Sequence, residues 1–193
     1  MAKLNSEVER ISRHLSAKQA TFDSVMQLSR DIIRDSGQSI TLLHNNDTAA
    51  ASNKIRSLAA KVKGLSRIDS LFKYHTMQAY QEYAEAAIFF SIKRRFRIPA
   101  IGDVGVDSEA YLMGLMDVEG ELKREILESL RDGKVELAER YFGIMKDIYD
   151  STRRLRFAEA VLNGFRKKQD VARIQIESAG GEILMFKSRA PSK

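Results

Sequence analysis

Apolar side chains recur every three or four residues along most of this chain, the spacing of one face of an α-helix. In the N-terminal part the pattern extends from Leu4 to Leu43, so we expect one long or once-broken helix that ends near Asn45. Residues 45–48 offer turn-forming side chains and an N-cap, because Asn, Asp and Thr accept hydrogen bonds from the free N–H groups of a helix start. A second helix is therefore expected from there to about Gly64.

The same spacing continues through the middle of the chain. A third helix is expected from about Ser70 to Arg97, followed by a loop that contains Pro99. A cap at residue 107 or 108 begins a fourth helix that continues to about Arg131.

The C-terminal part shows a helical pattern with two expected interruptions. After a turn at residues 132–133, a fifth helix continues to about Asp150, and one or two further helices fill residues 152–179. Two adjacent glycines, Gly180 and Gly181, are expected to end the last helix. The basic segment 182–193 begins with a short alternating pattern and is expected to form a flexible C-terminal tail.

These elements predict an all-α fold. Helices joined by short loops imply an antiparallel bundle of about seven helices, and residues 1–181 are expected to form it as one domain. The composition agrees, because the only two prolines, Pro99 and Pro191, leave long stretches free for helices.

Composition also limits the chemistry. The absence of cysteine excludes disulfides, thiol nucleophiles and cysteine-ligated metals, and only three histidines are present, none of them three residues after a glutamate. A di-iron site of the Glu-x-x-His type is therefore not expected. No apolar run is long enough for a signal peptide or a membrane span, so we expect a cytoplasmic protein with no membrane partner. The net charge of +6 is compatible with a polyanionic partner.

An acidic pair interrupts the third predicted helix. Glu82 and Glu85 stand in the otherwise uncharged and largely apolar run 79–90, three residues apart and hence on one helix face. Neither has a lysine or arginine three or four residues away, so a cation from elsewhere must compensate them.

The fourth predicted helix carries a second acidic pair. Asp117 follows an apolar stretch, and Glu121 lies one turn further along the same face. Gly114 and Gly120 would let another backbone approach closely. If the third and fourth helices are antiparallel neighbours across the intervening loop, the four carboxylates can meet and hold a divalent cation.

Ligation by carboxylates alone suits the hard ions Mg²⁺ and Mn²⁺, which activate water and neutralise charge on a phosphate. The alternative to a metal site is a structural role, because such carboxylates are also found paired with arginines of other helices or on a solvated face.

A basic group follows the acidic helix directly. Lys93, Arg94, Arg95 and Arg97 surround Phe96, so a phosphate backbone could bind here while a base stacks on the ring. The alternative is a cationic helix end that complements the helix dipole.

Other charged and titratable residues give weaker indications of function. Lys73 and His75 begin the acidic helix and provide a cation and a titratable ring near its N-terminal end. A further basic group, residues 153–156 with 166–168, is interpreted as a solvated face, and His14 and His44 as surface or packing residues.

At these residues the chain resembles the translin/TRAX family, and specifically its TRAX-like branch. The resemblance covers roughly residues 22–181, and its two acidic motifs are its most specific part. The similar stretches are Leu28–Ile32 with Leu42–His44, Gln81–Ala86, Tyr111–Leu122 and Phe165–Glu177.

The resemblance implies a seven-helix domain that assembles into closed oligomers and binds single-stranded RNA or DNA. TRAX-type members are Mg²⁺-dependent endoribonucleases, and their catalytic carboxylates correspond to Glu82, Glu85 and Asp117, with Glu121 as a fourth. The basic segment with which translin binds nucleic acid corresponds to Lys73 and His75, where only His75 keeps a matching residue type. For a single chain without an accompanying translin, the resemblance further implies a homo-oligomer and an archaeal source.

Two functional hypotheses of different classes follow. In the first, the chain is a metal-dependent endoribonuclease for single-stranded RNA, with Mg²⁺ or Mn²⁺ held by the four carboxylates. In the second, it is a non-catalytic scaffold that binds single-stranded nucleic acid, and the acidic face is structural. A helical adaptor with no role in nucleic-acid binding is a third, weaker interpretation.

Overall fold

Seven α-helices make up the protein in a computed structural model that describes residues 2–189. The all-α architecture of about seven helices predicted from the sequence is confirmed, and no strand occurs within the described range. The helices are α1 (Ala2–His44), α2 (Thr48–Leu65), α3 (Lys73–Arg95), α4 (Ile101–Val104), α5 (Ser108–Arg131), α6 (Val135–Thr152) and α7 (Phe165–Arg189).

Two of the long helices begin at aspartate caps that the sequence predicted. The Asp47 carboxylate accepts a hydrogen bond from the backbone N–H of Ala50 at 3.0 Å, and Asp107 accepts one from Ala110 at 3.0 Å. Each bond satisfies a backbone donor that has no partner within its own helix. The caps therefore fix where α2 and α5 start.

Helix α1 is continuous over its 43 residues and extends for about 65 Å. Its C-terminal half packs against α2 and α3, with Val25, Ile32 and Leu43 fully buried. Residues 2–21, in contrast, are exposed on every side and project beyond the bundle.

Helices α3 and α5 form the centre of the molecule. Helix α3 packs against α1, α2 and α5, and α5 packs against α3, α6 and α7. The apolar core between them contains the large buried side chains Phe89, Leu122 and Ile126. No helix within the described range has the length and apolar content to cross a membrane.

The two central helices run in the same direction. Lys73 pairs with Asp107 at 3.2 Å near their N-terminal ends, and Lys93 pairs with Glu125 at 2.8 Å towards their C-terminal ends. The expectation that these two helices are antiparallel was wrong. Residues 96–107 form a return connection along the bundle, long enough at about 3.3 Å per residue to span α3. The connection contains the short helix α4, where the sequence predicted only a loop.

The last helix also differs from the prediction. A single helix, α7, begins only at Phe165 and continues through Gly180 and Gly181 to Arg189. Gly180 lies inside the helix, where its missing side chain lets the Phe142 ring of α6 pack closely. A Cβ at Gly180 would lie 3.2 Å from that ring. The short alternating pattern is thus helical with Ile183 buried, and residues 190–193 of the predicted tail lie outside the described residues.

Candidate functional site

The acidic pairs of α3 and α5 meet across the seam between these helices. Gln81, which precedes Glu82, donates a hydrogen bond from Nε2 to Asp117 at 2.6 Å. Because the helices are parallel, the next turn of each brings Glu85 and Glu121 to a common level. The structure therefore brings together the carboxylates that the sequence singled out, although by a parallel arrangement.

Gly114 makes this seam tight. A Cβ at this position would lie 2.8 Å from the carbonyl oxygen of Gln81 and 2.8 Å from the backbone nitrogen of Glu85. The absence of a side chain thus lets the backbone of α5 approach the turn of α3 that carries the carboxylates. The close approach expected at Gly114 is confirmed.

Burial and mutual repulsion disfavour the charged forms of these carboxyls. Burial is the main cause that raises the pKa of Glu85 to about 8, and the charges of Asp117, Glu82 and Glu121 add to it. The pKa of Glu82 is also raised, mainly by burial and further by Asp117. Glu85 is therefore largely protonated at pH 7, and a bound cation would favour its charged form.

A lysine from α7 supplies part of the missing positive charge. The Lys168 ammonium contacts one oxygen of Asp117, while Gln81 holds the other. Its charge opposes the rise in the pKa of both Glu82 and Glu85. The interpretation of residues 166–168 as a solvated face was therefore wrong for Lys168, whose contact lies 51 residues away along the chain.

A second chain of ion pairs begins at Glu121. The His44 ring at the end of α1 contacts Glu121 through Nε2 at 2.5 Å and Glu125 through Nδ1 at 2.8 Å. Burial lowers the pKa of His44, but the hydrogen bonds to the two carboxylates outweigh burial and raise it to about 9. The imidazole is therefore charged at neutral pH and donates from both nitrogens, so His44 is more than the packing residue that the sequence suggested.

Lys93 belongs to the same buried network. Its ammonium donates to Glu125 at 2.8 Å and to the Asn46 side chain at 3.2 Å, and the side chain is only 9% exposed. The assignment of Lys93 to nucleic-acid binding is therefore wrong, because its charge is already paired inside the protein.

The predicted base-stacking ring is also occupied. The Arg140 guanidinium lies 3.7 Å from the centroid of the Phe96 ring, and Tyr141 lies 5.4 Å from it. Phe96 thus packs the end of α3 against α6, and the Arg140 guanidinium lies where a base was expected to stack.

Five residues of the predicted interface remain on the surface, and they form two separate groups. Lys73 and His75 are exposed at the N-terminal end of α3, where Lys73 pairs with Asp107 and His75 packs edge-on against Phe22. Arg94, Arg95 and Arg97 are exposed at the other end of α3. The two groups are about 30 Å apart along the helix, so a single nucleotide cannot contact both.

The donor set of the cluster fits a hard divalent cation. All four candidate ligands offer carboxylate oxygens, and among the described residues no cation pairs with the buried Glu85. In the described part of the chain, however, no three of these four residues present oxygens within 4.8 Å of one another. His44, Glu125 and Glu128 do lie that close, but His44 and Glu125 are held by Glu121 and Lys93.

A buried acid lies on the opposite face of α5. Glu119 is fully buried, neither of its carboxyl oxygens has a partner among the described residues, and burial raises its pKa to about 9. It is the second residue after Asp117, which places it on the far side of the helix from the cluster. It is a neutral core residue at pH 7 and contributes no charge to the site.

Beside the cluster a cleft opens to solvent. It has a volume of about 400 Å³, within the range of ligand pockets. Residues of α5, of α7 and of the turn before α7 line it, among them Asp117, Gly120, Gly164, Lys167, Lys168 and Gln175.

Comparison with known proteins relates most of the chain to one family. The model of the Translin family matches residues 4–179. A protein of Methanocaldococcus jannaschii, described as uncharacterized, is 30% identical over 184 residues, which cover 93% of this chain and 82% of that protein.

Solved structures show the same fold. The crystal structure of AfC3PO superimposes with a TM-score of 0.84 at 27% identity, covering 96% of this chain and 100% of that one. The complex of AfC3PO with duplex RNA gives a TM-score of 0.83 at the same identity and coverage. Apo-NeC3PO, at 21% identity, is similar in fold, with a TM-score of 0.85 over 93% of this chain and 96% of that one.

Proposed function

Since this chain belongs to the Translin family, we propose that it is a TRAX-like, Mg²⁺-dependent endoribonuclease whose carboxylates on α3 and α5 hold the cation. The observation that carries the proposal is the placement of Glu82 and Glu85 opposite Asp117 in a partly buried, acidic seam beside an open cleft. Such an arrangement is costly for stability alone, because buried carboxylates that repel one another destabilise the fold.

Each residue has a distinct part in the proposed reaction. Glu82, Glu85 and Asp117 hold the cation, and Glu121, fixed by His44, is either a fourth ligand or the base that takes a proton from water. Mg²⁺, or Mn²⁺ in its place, supplies Lewis-acid chemistry that lowers the pKa of bound water and offsets charge on the phosphate. The water oxygen would form a bond to phosphorus as the base takes its proton, the bond to the leaving nucleoside oxygen would break, and that oxygen would take up a proton from solvent.

The proposed substrate is single-stranded RNA, with single-stranded DNA as a further ligand. A structure of AfC3PO has been solved with duplex RNA, which supports nucleic-acid binding by this fold. The test therefore has to compare single-stranded RNA with duplex RNA. We further propose that the chain acts in the cytoplasm as a closed homo-oligomer.

The test is cleavage of labelled RNA by the full chain. Single-stranded RNA should be cut with Mg²⁺ and left intact with EDTA or with Glu82→Ala, while duplex RNA of the same sequence is compared in parallel. Glu136→Ala, an exposed acid on α6, is the matched control and should cleave as the wild type does. Cleavage that survives Glu82→Ala would remove the assigned site.

A non-catalytic scaffold that binds single-stranded nucleic acid is the second candidate. One observation favours it: Lys168 and His44 already neutralise Asp117 and Glu121, so the seam is partly compensated without a metal. Salt-dependent RNA binding with the RNA intact after long incubation in Mg²⁺ and Mn²⁺ would support this candidate.

A further inference from the structure

Lys168 occupies an unusual position between the carboxylate cluster and the cleft. Its ammonium contacts Asp117, yet the side chain remains 25% exposed and lines the cleft between α5 and α7. Gly120 and Gly164 leave parts of the cleft wall without a side chain. The ammonium can therefore turn from Asp117 into the cleft by rotation of its own side chain, since a lysine stem is flexible.

The contact with Asp117 is in competition with a metal. Asp117 has two oxygens, of which Gln81 holds one and Lys168 the other. A divalent cation bound by Asp117 needs one of these oxygens and repels the ammonium at short range. Metal binding therefore releases Lys168 from the cluster.

The cleft offers the released ammonium a suitable partner. Lys167, Lys168 and Gln175 provide donors on the α7 side, and Asp117 marks the end next to the cluster. An RNA phosphate in this cleft would receive positive charge from α7 while its phosphorus lies next to the cation. This arrangement would place the reacting phosphate of the RNA against α7.

We propose that Lys168 is an exchangeable counter-ion: it occupies the cation position of the cluster in the metal-free protein and binds the RNA phosphate in the adjoining cleft once a divalent cation displaces it. The proposal rests on the function proposed above. It assigns Lys168 a role that the ends of α3 were expected to have.

The first arm of the test measures metal binding without RNA. Isothermal titration calorimetry with Mn²⁺ compares the affinities of the wild type, Lys168→Met and Lys63→Met. Lys63→Met is the control, because it makes the same change at an exposed site on α2. Lys168→Met should bind Mn²⁺ about tenfold more tightly, because the competing ammonium is gone, and Lys63→Met should bind like the wild type. Equal affinity for Lys168→Met and the wild type would overturn the proposal.

The second arm measures single-turnover cleavage of RNA at saturating Mn²⁺. Lys168→Met should cleave at least tenfold more slowly despite its tighter metal binding, and Lys168→Arg, which keeps the charge, should recover part of the rate. Tighter Mn²⁺ binding with cleavage at the wild-type rate would overturn the phosphate contact. If the wild type and Lys63→Met bind Mn²⁺ but do not cleave RNA, the nuclease function is rejected. The first arm would still show whether Lys168 competes with the metal for Asp117.

Discussion

His44 contacts Glu121 at 2.5 Å and thereby joins the end of α1 to the helix that carries half of the carboxylate cluster. Through its other nitrogen the same ring holds Glu125, which in turn binds Lys93 of α3. One imidazole thus links the three helices α1, α3 and α5 by buried charges. The candidate site depends on this link, because Glu121 belongs to both the cluster and the network.

Replacing His44 by glutamine should destabilise the protein by about 3 kcal/mol, since it leaves Glu121 without a cationic partner and removes one of the two cations that contact Glu125. Equilibrium unfolding in urea, followed by circular dichroism, measures the change. His14→Gln, on the exposed part of α1, is the control and should change stability by less than about 0.5 kcal/mol. Equal stability of the two variants would show that the His44 network does not hold the helices together.

Gly114→Ala should destabilise the protein by about 1–3 kcal/mol, because the added Cβ meets the backbone of α3 at 2.8 Å and must push the two helices apart. Gly143→Ala is the matched control within a helix, since nothing lies within 4 Å of a Cβ there. It should stabilise the protein by about 0.5–1 kcal/mol through helix propensity. The two changes in midpoint, measured by urea unfolding, should therefore have opposite signs.

The stabilising effect of Asp35 should depend on pH in the acidic range. Burial alone would raise the pKa of Asp35, but the hydrogen bond from Lys61 at 2.5 Å and the charges of Lys54 and Arg34 lower it below its usual value. A lowered pKa stabilises the fold above the unfolded value, near 3.8, and the effect is lost as the pH falls through the folded value.

Asp35→Asn should therefore be less stable than the wild type at pH 7, and the difference should shrink as the pH falls below about 4. Thermal unfolding at pH values from 7 down to 3 compares the two proteins. A difference that stays constant over this range would contradict the assigned pairing.

The exposed arginines at the end of α3 provide a test of the remaining predicted nucleic-acid interface. If Arg94 and Arg97 each neutralise a phosphate of single-stranded RNA, replacing both with serine should reduce the slope of log affinity against log salt by about 1.4. Fluorescence anisotropy at several salt concentrations measures the slope. Lys93→Met should leave the slope unchanged while it lowers stability, because the Lys93 charge is buried against Glu125. An unaltered slope for the double variant would place the RNA elsewhere.

Local signals in the sequence were sufficient for most helix boundaries. Asp47 and Asp107 cap their helices as expected, because an N-cap acts on backbone groups only three residues away. The prediction of a helix end at Gly180 and Gly181 failed for the opposite reason: Gly180 fits the packing of Phe142 against α7, and this tertiary contact outweighs the local preference for a helix end.

The acidic residues of the site could be predicted from the sequence, but the cationic residues that pair with them could not. Glu82, Glu85 and Asp117 stand out because charged residues interrupt apolar runs. Lys168 and His44, which neutralise Asp117 and Glu121, lie 51 and 77 residues from them along the chain. No local pattern encodes such pairs, because they depend on the packing of α7 and α1 against α5.

Hydrogen exchange in the projecting half of α1 would show whether another surface packs on it. Within residues 2–189 no other helix covers the backbone amides of residues 2–21, and an isolated helical segment of this length is only marginally stable in water. Their protons should therefore exchange with solvent far faster than those of the buried helix α3. Slow exchange in this segment would show that another surface packs on it, and the exposed apolar side chains Leu4, Val8, Ile11 and Leu15 mark the side where that contact would lie.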